Sequence, residues 1–187
     1  MKRGRISVVI AGVLMLWVFL GSSASAQFRY QNSLSLSTGA YAASGFGTNL
    51  YGGVRYGYFF YGGRYFFEAS LGFSNLKSRV LENVSKTQLF ETERLFAYEF
   101  VVAYDYNPSG AIPFLVFGVA GVNQGGTSVF AGVLGLGKHI PIPGFLGTNQ
   151  LGIRYDIRDQ IFSQTINNSD PFISHNIVFS IGVQFYF

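Results

Sequence analysis

The sequence has no cysteine, five prolines and few charges, and each shortage excludes something. Without cysteine there is no disulfide framework, so a mature exported domain has to be held by hydrogen bonding and packing alone. Charged residues are 12% of the 187, against about 25% in an average soluble domain, while hydrophobic residues reach 49%. Beyond residue 26 no stretch approaches 18 consecutive apolar residues, which excludes a membrane-spanning helix there. The single tryptophan, Trp17, lies near the start of the chain, so aromatic character elsewhere rests on Phe and Tyr.

The first 26 residues read as a targeting segment. Lys2, Arg3 and Arg5 precede the uncharged run Ile6–Leu20, and Ala24 and Ala26 stand in the A-x-A positions before Gln27. The run falls short of the ~20 residues of a spanning helix, so cleavage between Ala26 and Gln27 is expected. Residues 27–187 then form a single domain. Removing the leader takes away three basic residues and no acidic ones, lowering the formal net charge from +4 to +1. The basic balance therefore belongs to the leader, and no nucleic-acid partner follows from it. A stacking surface for nucleic acid would also need Lys and Arg interleaved with the aromatics, a pattern the chain lacks.

What remains is apolar, glycine-rich and alternating. From Ile177 to Phe187 the odd positions are Ile177, Phe179, Ile181, Val183, Phe185 and Phe187, and the even ones are mostly small or polar. Period-two alternation over this length matches a tilted membrane-spanning strand with one face to lipid. Similar segments occur at Ser33–Tyr41, Leu50–Phe60, Tyr65–Asn75, Arg94–Tyr104 and Gln150–Arg158. Two more strands, Pro113–Val122 and Ser128–Lys138, are apolar or glycine on both faces, so alternation does not assign their facing. The count of eight is even, as single-chain bacterial barrels require. The fold class is an all-β, eight-stranded, antiparallel up-and-down transmembrane β-barrel.

Alternation also selects the lumen residues. Arg55, Glu68, Glu99, Arg154, Asp156 and Arg158 fall on inward faces, and buried charges of both signs have to pair. A Gly62-Gly63 turn of type I′ pairs residues whose numbers sum to an odd total and sets Arg55 diagonal to Glu68. The expected interior is filled or narrow. With both termini periplasmic, the turns are Tyr61–Arg64, Asp105–Ile112 and His139–Thr148. The external connectors are Ala42–Asn49, Leu76–Glu93, Asn123–Thr127 and Asp159–His175. Tyr104, Tyr106, Phe90 and Phe96 are placed near the membrane interfaces.

Together the leader, the eight segments and the ending Phe179-x-Ile181-x-Val183-x-Phe185-x-Phe187 resemble small bacterial outer-membrane β-barrel proteins of the OmpA/OmpX-like type. The stretch Arg154-Tyr-Asp156-Ile-Arg158-Asp159 is also similar to one near the end of the penultimate strand in a bacterial barrel-domain family of unknown role. The resemblance implies outer-membrane lipids as surroundings and the outer-membrane assembly machinery as a partner in biogenesis. It also implies that Phe179, Ile181, Val183, Phe185 and Phe187 form the signal that the machinery reads. A structural or surface-interaction role through external loops is expected, with a lipid-modifying enzyme or a narrow solute channel as alternatives.

Other chemistry finds little support. Gly132–Lys138 has phosphate-loop spacing, but His139 replaces the Ser or Thr that would hold Mg²⁺, and Pro141 and Pro143 forbid the following helix. His139 and His175 fall in connectors, where solvation is expected. Ser174 beside His175 would point to the opposite face of a strand, so no nucleophile–base pair is read. Glu68 and Glu99 fit a structural charge network better than acid–base work. Asn83-Val-Ser85 and Asn167-Asn-Ser169 are polar loop residues rather than glycosylation sites. No cofactor, metal or catalytic residue is expected.

Overall fold

The computed structural model describes residues 30–43, 47–77, 92–108, 112–124, 126–142, 144, 150–164 and 172–187. The expected leader with Ala26 and Gln27, both sequons and Phe90 lie outside these residues. The strands are β1 Asn32–Ala43, β2 Gly47–Phe60, β3 Tyr65–Lys77, β4 Thr92–Tyr104, β5 Phe114–Gln124, β6 Thr127–Pro141, β7 Leu151–Gln164 and β8 Phe172–Tyr186. Each pairs antiparallel with its sequence neighbours, and β8 closes on β1, giving an eight-stranded closed barrel.

The pairings fix the barrel's geometry. A line of partners from Asn32 runs through Tyr58, Phe67, Val102, Phe117, Leu134, Asp159 and Ile177, and returns to β1 at Ala42, ten residues along. With ~3.3 Å per residue and ~4.8 Å between strands, that stagger requires a strand tilt of about 41°. The tilt is within the range that eight-stranded barrels adopt.

The exterior is the greasy face. Leu36 is 65% exposed, Phe100 61% and Val183 60%, whereas Arg158 and Gln160 show no exposure. Arg55 pairs with Ser70, an odd sum, as the diglycine turn requires. Gly62 and Gly63 take φ of 67° and 85°, and Arg64 N–H donates to the Tyr61 carbonyl at 3.4 Å. Tyr61 before them also has a positive φ, 50°, and glycine occupies the two central positions of the turn, where positive φ disfavours a side chain.

Several strands run further than alternation indicated. β7 continues from Arg158 to Gln164 and β8 begins at Phe172, so most of the expected connector Asp159–His175 is strand. β6 likewise extends through His139 to Pro141, which corrects the connector expected from His139. Pro141 sits near the strand end, where a missing amide donor is tolerated. The structure also assigns the facing of β5 and β6: Leu115, Phe117, Val119, Leu134 and Leu136 are exposed, while Phe114, Val116, Ala120, Ala131 and Val133 are buried.

A charge on the lipid face should be costly in proportion to its depth. Val119→Arg, mid-strand and outward, is expected to lower the unfolding free energy in bilayers by about 2–4 kcal/mol, and Ser128→Arg, outward at the end of β6, by about 0–1 kcal/mol. Urea titration of the protein reconstituted in vesicles reads both; equal effects would contradict the outward facing of β5.

Candidate functional site

The even phase of β7 points Arg154, Asp156, Arg158 and Gln160 inward in sequence, and all four are buried. Arg55 of β2, Glu68 of β3 and Glu99 of β4 meet them at mid-barrel. Asp156 accepts from Arg55, from Arg154 Nε at 3.1 Å and from Arg158 Nε at 3.2 Å. Glu68 pairs with Arg154, with Arg158 Nη2 at 2.5 Å and with Arg55 Nε at 3.9 Å. Arg158 also donates to Glu99, making it the one cation that touches all three carboxylates.

Three guanidinium groups and three carboxylates thus sit in one cluster with no net formal charge, every member at most 3% exposed. Isolated, each ion would cost several kcal/mol to remove from water, and mutual attraction offsets this only where further hydrogen bonds complete the set. Most of those bonds are present, while Arg55 Nε and Arg154 Nη2 have no hydrogen-bond partner among the described residues. Ser180 receives from Arg55 at 2.9 Å and donates to Asp156 at 3.2 Å, and Ser70 donates to Glu99 at 3.1 Å.

Residues that the sequence reading passed over extend the cluster both ways. Towards the end away from the termini, Gln160 donates to Glu99 at 2.7 Å and accepts from Tyr41 at 2.7 Å, and Asn176 donates to Tyr41 at 2.9 Å. Towards the terminal end lies an aromatic layer of Phe59, Phe66, Phe114 and His139. Arg154 lies over two of these rings, 5.1 Å from the centroid of Phe114 and 5.8 Å from that of Phe66. His139, expected in a solvated connector, is buried here, its Nδ1 2.5 Å from Gln184 Oε1. The signals were present: Gln160 continues the inward phase of β7, and His139 that of Val133.

The lumen is lopsided. β5 and β6 offer it mainly small and aliphatic side chains, and the long arms from β7 lie against them. A Cβ on Gly135 would stand 2.6 Å from the Ile157 carbonyl oxygen and 3.0 Å from Arg158 Cγ, so glycine leaves room for the arginine stem. The phosphate-loop-like glycines of Gly132–Lys138 are therefore parts of a continuous strand.

Among the described residues two ion pairs lie outside the lumen. Lys138, on the outward phase of β6, is buried by the segment after β4, donating to the carbonyls of Asn107 and Ile112 at 3.0 Å each, with Asp105 at 3.6 Å. Burial pushes the Asp105 carboxyl above its ordinary value, against the pull of Lys138. His175 belongs to β8 rather than to a connector; its exposed ring places Nδ1 2.7 Å from Asp159 Oδ2. Ser174 and Ser180 face the lumen, on the side opposite His175. Among the described residues no group of His, Asp and Glu could hold a metal ion.

Removing the hub cation should be destabilising because Glu99 loses its one ionic partner among the described residues. Arg158→Met is expected to cost about 3–5 kcal/mol, and Glu99→Gln in the same chain to restore part of it, since Ser70 and Gln160 still reach the amide. Urea unfolding in detergent micelles reads the cycle, and strict additivity of the two substitutions would contradict the pairing.

No protein-family model matches the chain, and no curated protein matches its sequence. Among solved structures, the fold is similar to Neisserial surface protein A, at 16% identity and a TM-score of 0.54, covering 83% of this chain and 97% of that one. The N-terminal β-barrel domain of Pseudomonas aeruginosa OprF aligns over 85% of this chain and 100% of its own, at 15% identity and a TM-score of 0.45. The Ail protein of Yersinia pestis, solved with the heparin analogue sucrose octasulfate, aligns over 83% and 99%, at 10% identity and a TM-score of 0.46. The chain has the closed, eight-stranded, up-and-down fold of small bacterial outer-membrane β-barrel proteins.

Proposed function

We propose that the protein is an integral barrel of a Gram-negative outer membrane that is closed to solutes and acts through its external connectors, in envelope structure or surface interaction. The observation that carries this reading is the neutral charge cluster across mid-lumen. Arg55, Arg154 and Arg158 extend from the wall to carboxylates on other strands, and the aromatic layer closes the space below them. An eight-stranded barrel is just wide enough for its interior to be filled by side chains. A water path would have to break buried ion pairs, which is costly.

Three further features support the reading. The outward apolar band suits hydrocarbon, and closure leaves no strand edge with unpaired backbone groups. Tyr61, Tyr65, Tyr106 and Phe187 are exposed near the terminal end, in keeping with an aromatic girdle at one interface. The lumen's charged groups are engaged with one another, and His175 is engaged with Asp159, which favours a structural role over catalysis.

In cell fractionation the protein is expected with the outer membrane, migrating faster on gels when unheated than when boiled. In planar bilayers it should give no unitary steps above background; regular open steps would overturn the closed lumen. Replacing Phe187 by Ser should reduce the fraction of heat-modifiable protein in the membrane, and unchanged assembly would remove the terminal aromatic from the biogenesis signal.

A further inference from the structure

The pair Asp159–His175 stands on the outside of the barrel, where lipid is expected. Asp159 lies on the outward phase of β7 between Ile157 and Ile161, and directly opposite Leu134 and Ile177 on the two adjacent strands. A carboxylate among such neighbours is unusual, because an unpaired charge against hydrocarbon is strongly unfavourable. With a rise of about 2.5 Å per residue along the tilted strands, Asp159 stands about 19 Å and His175 about 27 Å above Asn32. Near the upper of these levels the outward residues of β3, β4 and β5 change to Asn75, Arg94 and Asn123, while on β8 the exposed Ile173 continues the apolar face beyond His175. The pair therefore spans the edge of the apolar band.

Directly below Asp159 an outward groove of about 360 Å³ runs between β5, β6, β7 and β8, its walls including Phe117, Leu134, Leu136, Ile157 and Ile177. A groove lined this way suits an acyl chain. The pair at its upper end suits the group that joins such a chain to its headgroup. The carboxylate oxygen accepts, so the His175 proton at this contact is on Nδ1. In the protonated ring both nitrogens donate, and Nε2 of this exposed imidazole is left to donate outward. An acyl carbonyl, the acceptor nearest the hydrocarbon in an ester- or amide-linked lipid, has the matching chemistry.

We propose that β6–β8 hold one lipid in a fixed pose, its acyl chain in the groove below Asp159 and its acyl carbonyl accepting a hydrogen bond from His175 Nε2. Asp159 acts as a positioning residue, holding the ring and neutralising its charge at the edge of the hydrocarbon. This rests on the membrane-embedded reading above, and the test separates the two.

Full-length protein folded in detergent is mixed, in mildly acidic buffer, with equal amounts of a diester phosphatidylcholine and its diether analogue of the same chain length. The diether lacks only the carbonyls. Native mass spectrometry counts each lipid retained. The diester is expected to be retained about fivefold more, the effect of one hydrogen bond. His175→Phe and Asp159→Leu should each bring the ratio near one, and both place an apolar group against lipid, so folding is spared. Leu136→Trp, which fills the groove, should lower retention of both lipids. A ratio near one in the unaltered protein, or a preference that survives His175→Phe, overturns the proposal. A chain that shows no heat-dependent gel shift and does not enter vesicles overturns the membrane reading and this proposal with it.

Discussion

Backbone amides surrounded by hydrocarbon have no water to bond, and this constraint governs every other feature of the chain. Each strand must find partners on both sides, so the sheet has to close, with β8 against β1. Closure at eight strands with a stagger of ten residues sets the tilt, and the tilt sets how much interior remains. The interior is narrow, and side chains from facing walls meet across it. Its polarity follows: apolar groups are drawn outward, and the polar remainder has to be satisfied inside.

The interior solves that problem with charge. Three arginines and three carboxylates cancel, and serine, glutamine, asparagine and tyrosine hydroxyl or amide groups extend the hydrogen bonding around them. Such an arrangement confers specificity as much as stability, because leaving out one member strands another in a place without water. The apolar lining of β5 and β6 belongs to the same solution. Long side chains from β7 need a smooth surface to lie on, and glycine at position 135 provides it.

Much of this was legible in residue order. Alternation in β1–β4, β7 and β8 revealed which side chains turn inward, because polar and apolar residues there differ sharply. The diglycine at 62 and 63 fixed one register, since positive φ at both positions admits few other residues. The six charges could be grouped by face before any distance was known. What remained hidden has physical reasons. β5 and β6 are apolar on both sides, so period two carries no contrast. The reach of β7 past Arg158 was masked by Asp159, an outward charge that looks like the start of a loop and is instead paired with His175 on the neighbouring strand. Lys138 was obscured in the same way, since its burial comes from a segment distant in sequence. His139 shares the inward phase of Val133, but that phase has no polar contrast to mark it, and its aromatic neighbours come from β2, β3 and β5.

The distribution of the six interior charges along the chain bears on assembly. Arg55, Glu68 and Glu99 belong to the first four strands and carry one excess negative charge; Arg154, Asp156 and Arg158 belong to β7 alone and carry one excess positive charge. A half-built sheet therefore cannot neutralise itself, whichever half forms first. Only when the penultimate strand arrives do both excesses vanish together, which penalises partly inserted intermediates and makes completion of the cylinder a cooperative event.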